Sequence, residues 1–115
     1  MQNRRNENQY SLGEFEEKVL MAVMRLGDKA YGVSVQEEIE KRIERRCSFG
    51  ALYTTLDRLE DKGFLSSSLG ESSSERGGRA KRYFRLEGKG IKALKASLES
   101  TFRMAEGLPL LEGAR

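Results

Sequence analysis

Three observations predict a mainly α-helical fold with a small β-hairpin. Apolar residues recur at helical spacing in three successive segments before Gly63; the period shortens to that of strands in two segments between Phe64 and Leu86; helical spacing then returns from Ile91 to Ala105. With 115 residues, of which 37% are hydrophobic, the chain has material for one compact core and little for a second.

Residues 1–10 are polar and aperiodic, with Tyr10 near the end, and are expected to be a mobile tail. Ser11-Leu12-Gly13-Glu14 has the form of a capping box, in which serine and glutamate side chains satisfy free N–H groups at a helix start. The first helix should run to about Leu26, with Leu12, Phe15, Val19, Ala22, Val23 and Leu26 as its core stripe and Gly27-Asp28 as its stop. Leu20, Met21 and Met24 lie off that stripe, so the second half of the helix is apolar almost all round. Either a second subunit or the final helix of the same chain covers them.

After Tyr31-Gly32, Val35, Ile39 and Ile43 give a second, supporting helix its buried face, with Glu37, Glu38, Glu40, Lys41, Arg42 and Glu44 outside. Ser48 is placed to cap a third helix in which Phe49, Leu52, Leu56 and Leu59 are the buried stripe, and Lys62-Gly63 ends it. Phe64–Leu69 and Ala80–Leu86 then read as two strands around a long Gly- and Ser-rich tip. On the second strand Phe84 and Leu86 share one face, with Lys81, Tyr83 and Arg85 on the other. Ile91, Leu94, Leu98, Phe102 and Ala105 define a last amphipathic helix, and the segment from Gly107 to Arg115, which holds the only proline, is expected to fray. The organisation expected is a tail at 1–10, a winged domain at 11–86, a C-terminal helix at 87–106 and a second tail at 107–115.

Composition excludes several function classes. The chain has no His and a single cysteine, Cys47, so a disulfide framework is impossible and the commonest metal ligand and general base are missing. An enzyme is not expected, and no cofactor is implied. No apolar run approaches the roughly 20 residues of a membrane span, and the first residues lack the apolar segment of a signal peptide, so a cytoplasmic protein is expected. The net charge of +3 is a mild basic excess that decides nothing alone.

Three helices followed by a basic hairpin is the order of a winged helix-turn-helix, in which the third helix enters the major groove of double-stranded DNA and the hairpin reaches the backbone or minor groove. Away from its buried stripe the third helix presents Gly50, Thr54, Asp57, Arg58 and Asp61, with Tyr53 on the flank and Ser48 at its start. Arg58 suits a phosphate or a guanine edge, and the Tyr53 and Thr54 hydroxyls suit phosphate oxygens. Asp57 and Asp61 would repel phosphates, which directs the contact to the N-terminal half. In the hairpin, Arg76, Arg79, Lys81, Arg82 and Arg85 occur between Glu75 and Glu87 with no intervening acid, and Gly77-Gly78 permits close backbone approach. This glycine-rich stretch lacks P-loop spacing and leads into a strand, which argues against a nucleotide site. Cys47 either continues the second helix's buried stripe or, as a thiol near a helix start, has a lowered pKa and senses oxidants.

These segments resemble the PadR family of winged-helix regulators from about Leu12 to Ser97. Tyr31-Gly32-Val33 is similar to the family's Tyr-Gly-x-x-Ile element. Ser48-Phe49-Gly50-Ala51-Leu52-Tyr53, followed by Leu56, Arg58-Leu59-Glu60 and Gly63-Phe64-Leu65, resembles its recognition helix, Ser-Pro-Gly-x-Leu-Tyr and then x-x-Leu-x-Arg-Leu-Glu-x-x-Gly-Leu-Ile. Arg82-Tyr83-Phe84-Arg85-Leu86 with Gly90 is similar to the exit from the wing, Arg-Tyr-Tyr-x-Leu-Thr-x-x-Gly. Phe49 stands where proline is usual and Glu87 where threonine is usual.

The resemblance implies a homodimer on a near-palindromic operator, usually a repressor, with dimer contacts from the first and last helices: Leu20, Met21, Met24, Leu94, Leu98 and Phe102. Some members release DNA when a small, often aromatic, compound binds at the dimer interface; only one helix follows the wing here, and no residue can be named for such an effector. The function expected is sequence-specific binding of double-stranded DNA through Ser48, Gly50, Tyr53, Thr54, Arg58, Arg76, Arg79, Lys81 and Arg82. The alternative is a winged-helix module that binds another protein, for which Asp57 and Asp61 speak.

Overall fold

The computed structural model describes residues 11–70 and 80–111. Helices α1 (Glu14–Leu26), α2 (Gly32–Ile43) and α3 (Phe49–Asp61) precede strands β1 (Leu65–Leu69) and β2 (Arg82–Leu86), and α4 (Gly88–Ala105) follows. This is the winged helix-turn-helix order with a C-terminal helix. Short 3-10 turns at Gly27–Lys29 and Pro109–Leu111 complete the described chain; the tail expected at 1–10, and the part of the second expected tail beyond 111, lie outside the described residues.

The α1 start departs from the capping box expected at Ser11. Gly13 is the cap, and the Glu16 carboxylate turns back to accept its N–H at 2.8 Å. The C-terminal stop is as expected: Gly27 takes a positive φ of 59° and donates its N–H to the Val23 carbonyl. Glycine adopts that conformation without a Cβ penalty.

The core is one cluster. Val19, Leu20 and Val23 of α1, Val35 and Ile39 of α2, and Leu52, Leu56 and Leu59 of α3 meet Phe64, Leu65 and Phe84 of the hairpin and Ala93 and Leu94 of α4. Each such aliphatic or aromatic side chain contributes roughly 1.5 to 3 kcal/mol by leaving water. Several residues of the expected stripes lie further out: Ile43, Phe49, Ile91 and Phe102 are exposed. Thr55 takes the inner position on α3 instead.

β1 and β2 pair antiparallel, with Leu65 opposite Leu86 and Leu69 opposite Arg82. A bridge from Tyr31 to Tyr83, with Phe84 N–H donating to the Ala30 carbonyl at 2.8 Å, ties the segment before α2 to the hairpin's other edge. The wing root is thereby fixed to the helical body. No described helix is long and apolar enough to cross a membrane.

Candidate nucleic-acid interface

Ser48 caps α3: its Oγ accepts the Ala51 N–H at 3.2 Å. With Leu52, Thr55, Leu56 and Leu59 buried, a spacing of 100° per residue puts Gly50, Thr54, Asp57, Arg58 and Asp61 outward, and all five are exposed. A Cβ added at Gly50 would meet only Ser48 Oγ, at 3.9 Å, so the fold itself does not require glycine there. Its effect is to leave the backbone near the helix start open to close approach.

Tyr53 sits differently from the sequence expectation. Its ring is half-buried, edge-on to Phe49 at 4.8 Å and to Phe84 at 6.4 Å. A Cβ on Gly32 would fall 2.5 Å from its hydroxyl. Tyr53 is a wedge between α2, α3 and the wing.

Arg82, expected to hold a phosphate, is engaged by side chains of its own chain. Its Nη2 lies 3.0 Å from Asp57 Oδ1 and 2.6 Å from Glu60 Oε1, and its Nε donates to Ser67 Oγ at 3.2 Å. Ser67 Oγ in turn donates to Glu60, 2.9 Å from each carboxylate oxygen, and the guanidinium stacks over Phe84 at 4.7 Å. Burial is the largest influence on this group and opposes its charge; hydrogen bonds to Glu60 and Asp57 outweigh it and raise the pKa above the ordinary arginine value. Lys81 Nζ stands 4.1 Å over the Tyr31 ring. Arg85 is exposed on β2, and Arg76 and Arg79 lie outside the described residues.

The turn into α3 carries two cations that the periodicity did not single out. Glu44 ends α2 in the left-handed region at φ 54°, and Arg45 and Arg46 follow, both exposed and without an ion-pair partner among the described residues. They adjoin the α3 N-terminus, where unpaired N–H groups favour anions. The signal that could have found them is an Arg-Arg pair directly before a helix cap. Cys47 next to them is buried, and desolvation followed by the Glu40 charge pushes its thiol pKa up, opposite to the lowered pKa of a sensing cysteine. Its N–H donates to Glu40 and its carbonyl accepts from Gln36, so the residue belongs to the α2 packing.

The match to the transcriptional regulator PadR-like family model covers residues 19–96. The chain belongs to the PadR-like family. Among solved structures it is similar to a PadR-like transcription factor from Bacteroides fragilis, at 24% identity and a TM-score of 0.69 over 95% of this chain and 98% of that one. A transcriptional regulator from Clostridium thermocellum matches at 22% identity and a TM-score of 0.67, over 84% of this chain and 91% of the other. F93 from STIV, described as a winged-helix DNA-binding protein, matches at 22% identity and a TM-score of 0.63 over 79% and 90%. At these identities the structures attest the fold. Comparison with curated proteins gives no match.

The PadR-like motifs acquire physical reasons here. The glycine of Tyr31-Gly32 makes room for Tyr53, and Gly90 lets α4 cross the wing exit, where a Cβ would fall 2.3 Å from the Phe64 carbonyl oxygen. Phe49, at the proline position, occupies the first helical residue, where an N–H needs no intrahelical partner. Glu87, at the threonine position, is the α4 cap residue but makes no side-chain cap; its carboxylate accepts from Ser66 Oγ on β1.

The residues expected at a PadR-like dimer contact divide in two. Leu20 and Leu94 are buried in the chain's own core and leave no surface for a partner, because α4 packs on α1 within one chain. Met21 and Leu98 are partly covered, whereas Met24 is 50% and Phe102 69% exposed. A groove of about 700 Å³ lies between the end of α1, the outer face of the hairpin and the start of α4, lined by Met24, Tyr83, Arg85 and Ile91 among others.

Proposed function

We propose that this PadR-like protein is a sequence-specific regulator that binds double-stranded DNA, acting as a homodimer on a near-palindromic operator and repressing transcription there. The observation that carries the reading is the outer face of α3: a capped helix start with Gly50 and Thr54 exposed, Arg58 exposed further along, and beside the start Arg45 and Arg46, which have no ion-pair partner among the described residues. In this reading Ser48, Gly50, Thr54 and Arg58 face the bases. Arg45, Arg46, Lys81 and the wing residues Arg76 and Arg79 hold phosphates, which positions the chain without reading sequence. Tyr53 and Arg82 serve from inside.

The exposed apolar residues Met24, Phe102 and Met104, with the partly covered Leu98, support a second copy as partner, since isolated chains rarely leave such a set in water. A two-fold dimer then places its half-sites about 10 base pairs apart, or a multiple of that. The protein-interaction module loses half its support, because Asp57 is engaged by Arg82.

Fluorescence anisotropy on a duplex from upstream of the protein's own gene, beside a shuffled duplex and across a salt series, tests the proposal. Nanomolar binding with a preference of about 10³ or more is the expected result. Equal, weak and steeply salt-dependent binding to both duplexes would reject sequence-specific recognition. Analytical ultracentrifugation of the free protein and of its complex tests the dimer, and a reporter behind the bound duplex tests repression.

A further inference from the structure

Arg82 is the first residue of β2 and pairs with Leu69 at the far end of β1, so it sits at the end of the strand ladder away from its root. Its side chain turns to α3. One terminal nitrogen reaches both Asp57 and Glu60, while Nε reaches Ser67 of β1, which itself donates to Glu60. Two strands and a helix therefore meet on one guanidinium. Arg82 and Glu60 are each about one-third exposed, and Asp57 is more open at 59%.

We infer that Arg82 is a positioning residue for DNA binding, fastening the wing to the DNA-facing helix and offsetting the charge that Asp57 and Glu60 set beside the phosphates. This rests on the proposed DNA-binding role. The planar fork of arginine is what the site uses, because three acceptors in different directions need several N–H groups held in one plane. A lysine ammonium keeps the charge but lacks that fork, whereas a phosphate oxygen accepts either cation. The chemistry thus separates a latch from a phosphate contact: lysine replaces arginine in the second role and fails in the first.

The test measures anisotropy with the full chain on a duplex that the wild type prefers, for R82K, R82A, D57N/E60Q and R82A/D57N/E60Q. The latch predicts that R82K loses affinity about as far as R82A, on the order of tenfold. It also predicts that removing Arg82 costs that factor in the wild-type background but no more than about twofold once Asp57 and Glu60 are neutral. Comparing within each background cancels the general gain from removing acids. R82K binding like wild type, or an equal cost of R82A in both backgrounds, would overturn the inference and make Arg82 a direct phosphate contact. If R82A does not fold, R82K, which retains the charge and most of the stem, still decides. Wild type failing to distinguish its duplex from a shuffled one would sink the DNA-binding proposal itself, before any variant is made.

Discussion

Arginines stand on two sides of α3 in opposite circumstances. Arg82, on the wing side, has two carboxylates within 3.0 Å and shares one of them, Glu60, with Ser67. Arg45 and Arg46, before the helix start, are exposed on an irregular turn with no ion-pair partner among the described residues. The sequence counts all three as equal positive charges. What a partner meets is the charge left over after the chain has paired its own, and by that measure the modest turn outweighs the wing root.

The largest effect expected from this contrast comes from R45A/R46A. If both residues hold phosphates, the double substitution weakens binding to operator and shuffled duplex alike by about 2 kcal/mol, roughly 30-fold. The slope of log affinity against log salt becomes shallower by about 1.8 for two lost contacts. Because the turn is exposed, the thermal midpoint should stay within about 2 °C of wild type. An unchanged salt slope would refute the assignment.

A fourth cation sharpens the comparison from the other end. Lys62 Nζ lies 3.0 Å from Glu16 Oε2, and that carboxylate, buried, also accepts the Gly13 N–H. Burial is the strongest influence on Glu16 and opposes its ionisation, yet the bonds to Gly13 and Lys62 and the nearby Arg58 charge leave its pKa below the ordinary glutamate value. E16Q should cost about 1.5 kcal/mol of stability at neutral pH, without altering the salt slope of DNA binding. The folded pKa is the lower one, so the stabilisation is present above the unfolded value of about 4.3 and is lost as pH falls through the folded value. Chemical denaturation from pH 7 down to 3 should show wild type and E16Q converging at the acid end; a constant gap would mean the ionised pair contributes nothing.

The fold was legible because the hydrophobic period changes cleanly, from helical to alternating at Phe64 and back after Leu86. What covers an apolar face was not legible. Leu20 and Leu94 have the spacing of an interface and are core, since periodicity gives the face but not the neighbour. The α1 cap was misplaced for a local reason: Gly13 offers no side chain to recognise, and the returning carboxylate is Glu16, not Glu14. The face of α3 was read correctly from its angles. The contacts that hold Tyr53 and Arg82 within the chain were not legible, because their partners are distant in the chain: Gly32 and Phe84 for one, Asp57 and Glu60 for the other.

The smallest effect compares two acids on one face. Asp57 and Asp61 stand four residues apart on α3; Asp57 is held by Arg82, and Asp61 has no ion-pair partner among the described residues. Coulomb's law treats them alike at long range: removing either negative charge about 10 Å from a phosphate in water gains only about 0.4 kcal/mol, or twofold in affinity. D61N should show that gain and nothing else. D57N carries the same gain but also takes one of the anchors from Arg82, so its net improvement falls short of that of D61N and its hairpin amides exchange faster. Parallel titrations at low salt, with hydrogen exchange of residues 65–69 and 82–86, make the comparison. Equal gains with unchanged exchange would show that Asp57 is a spectator to the wing and that only Glu60 and Ser67 hold Arg82.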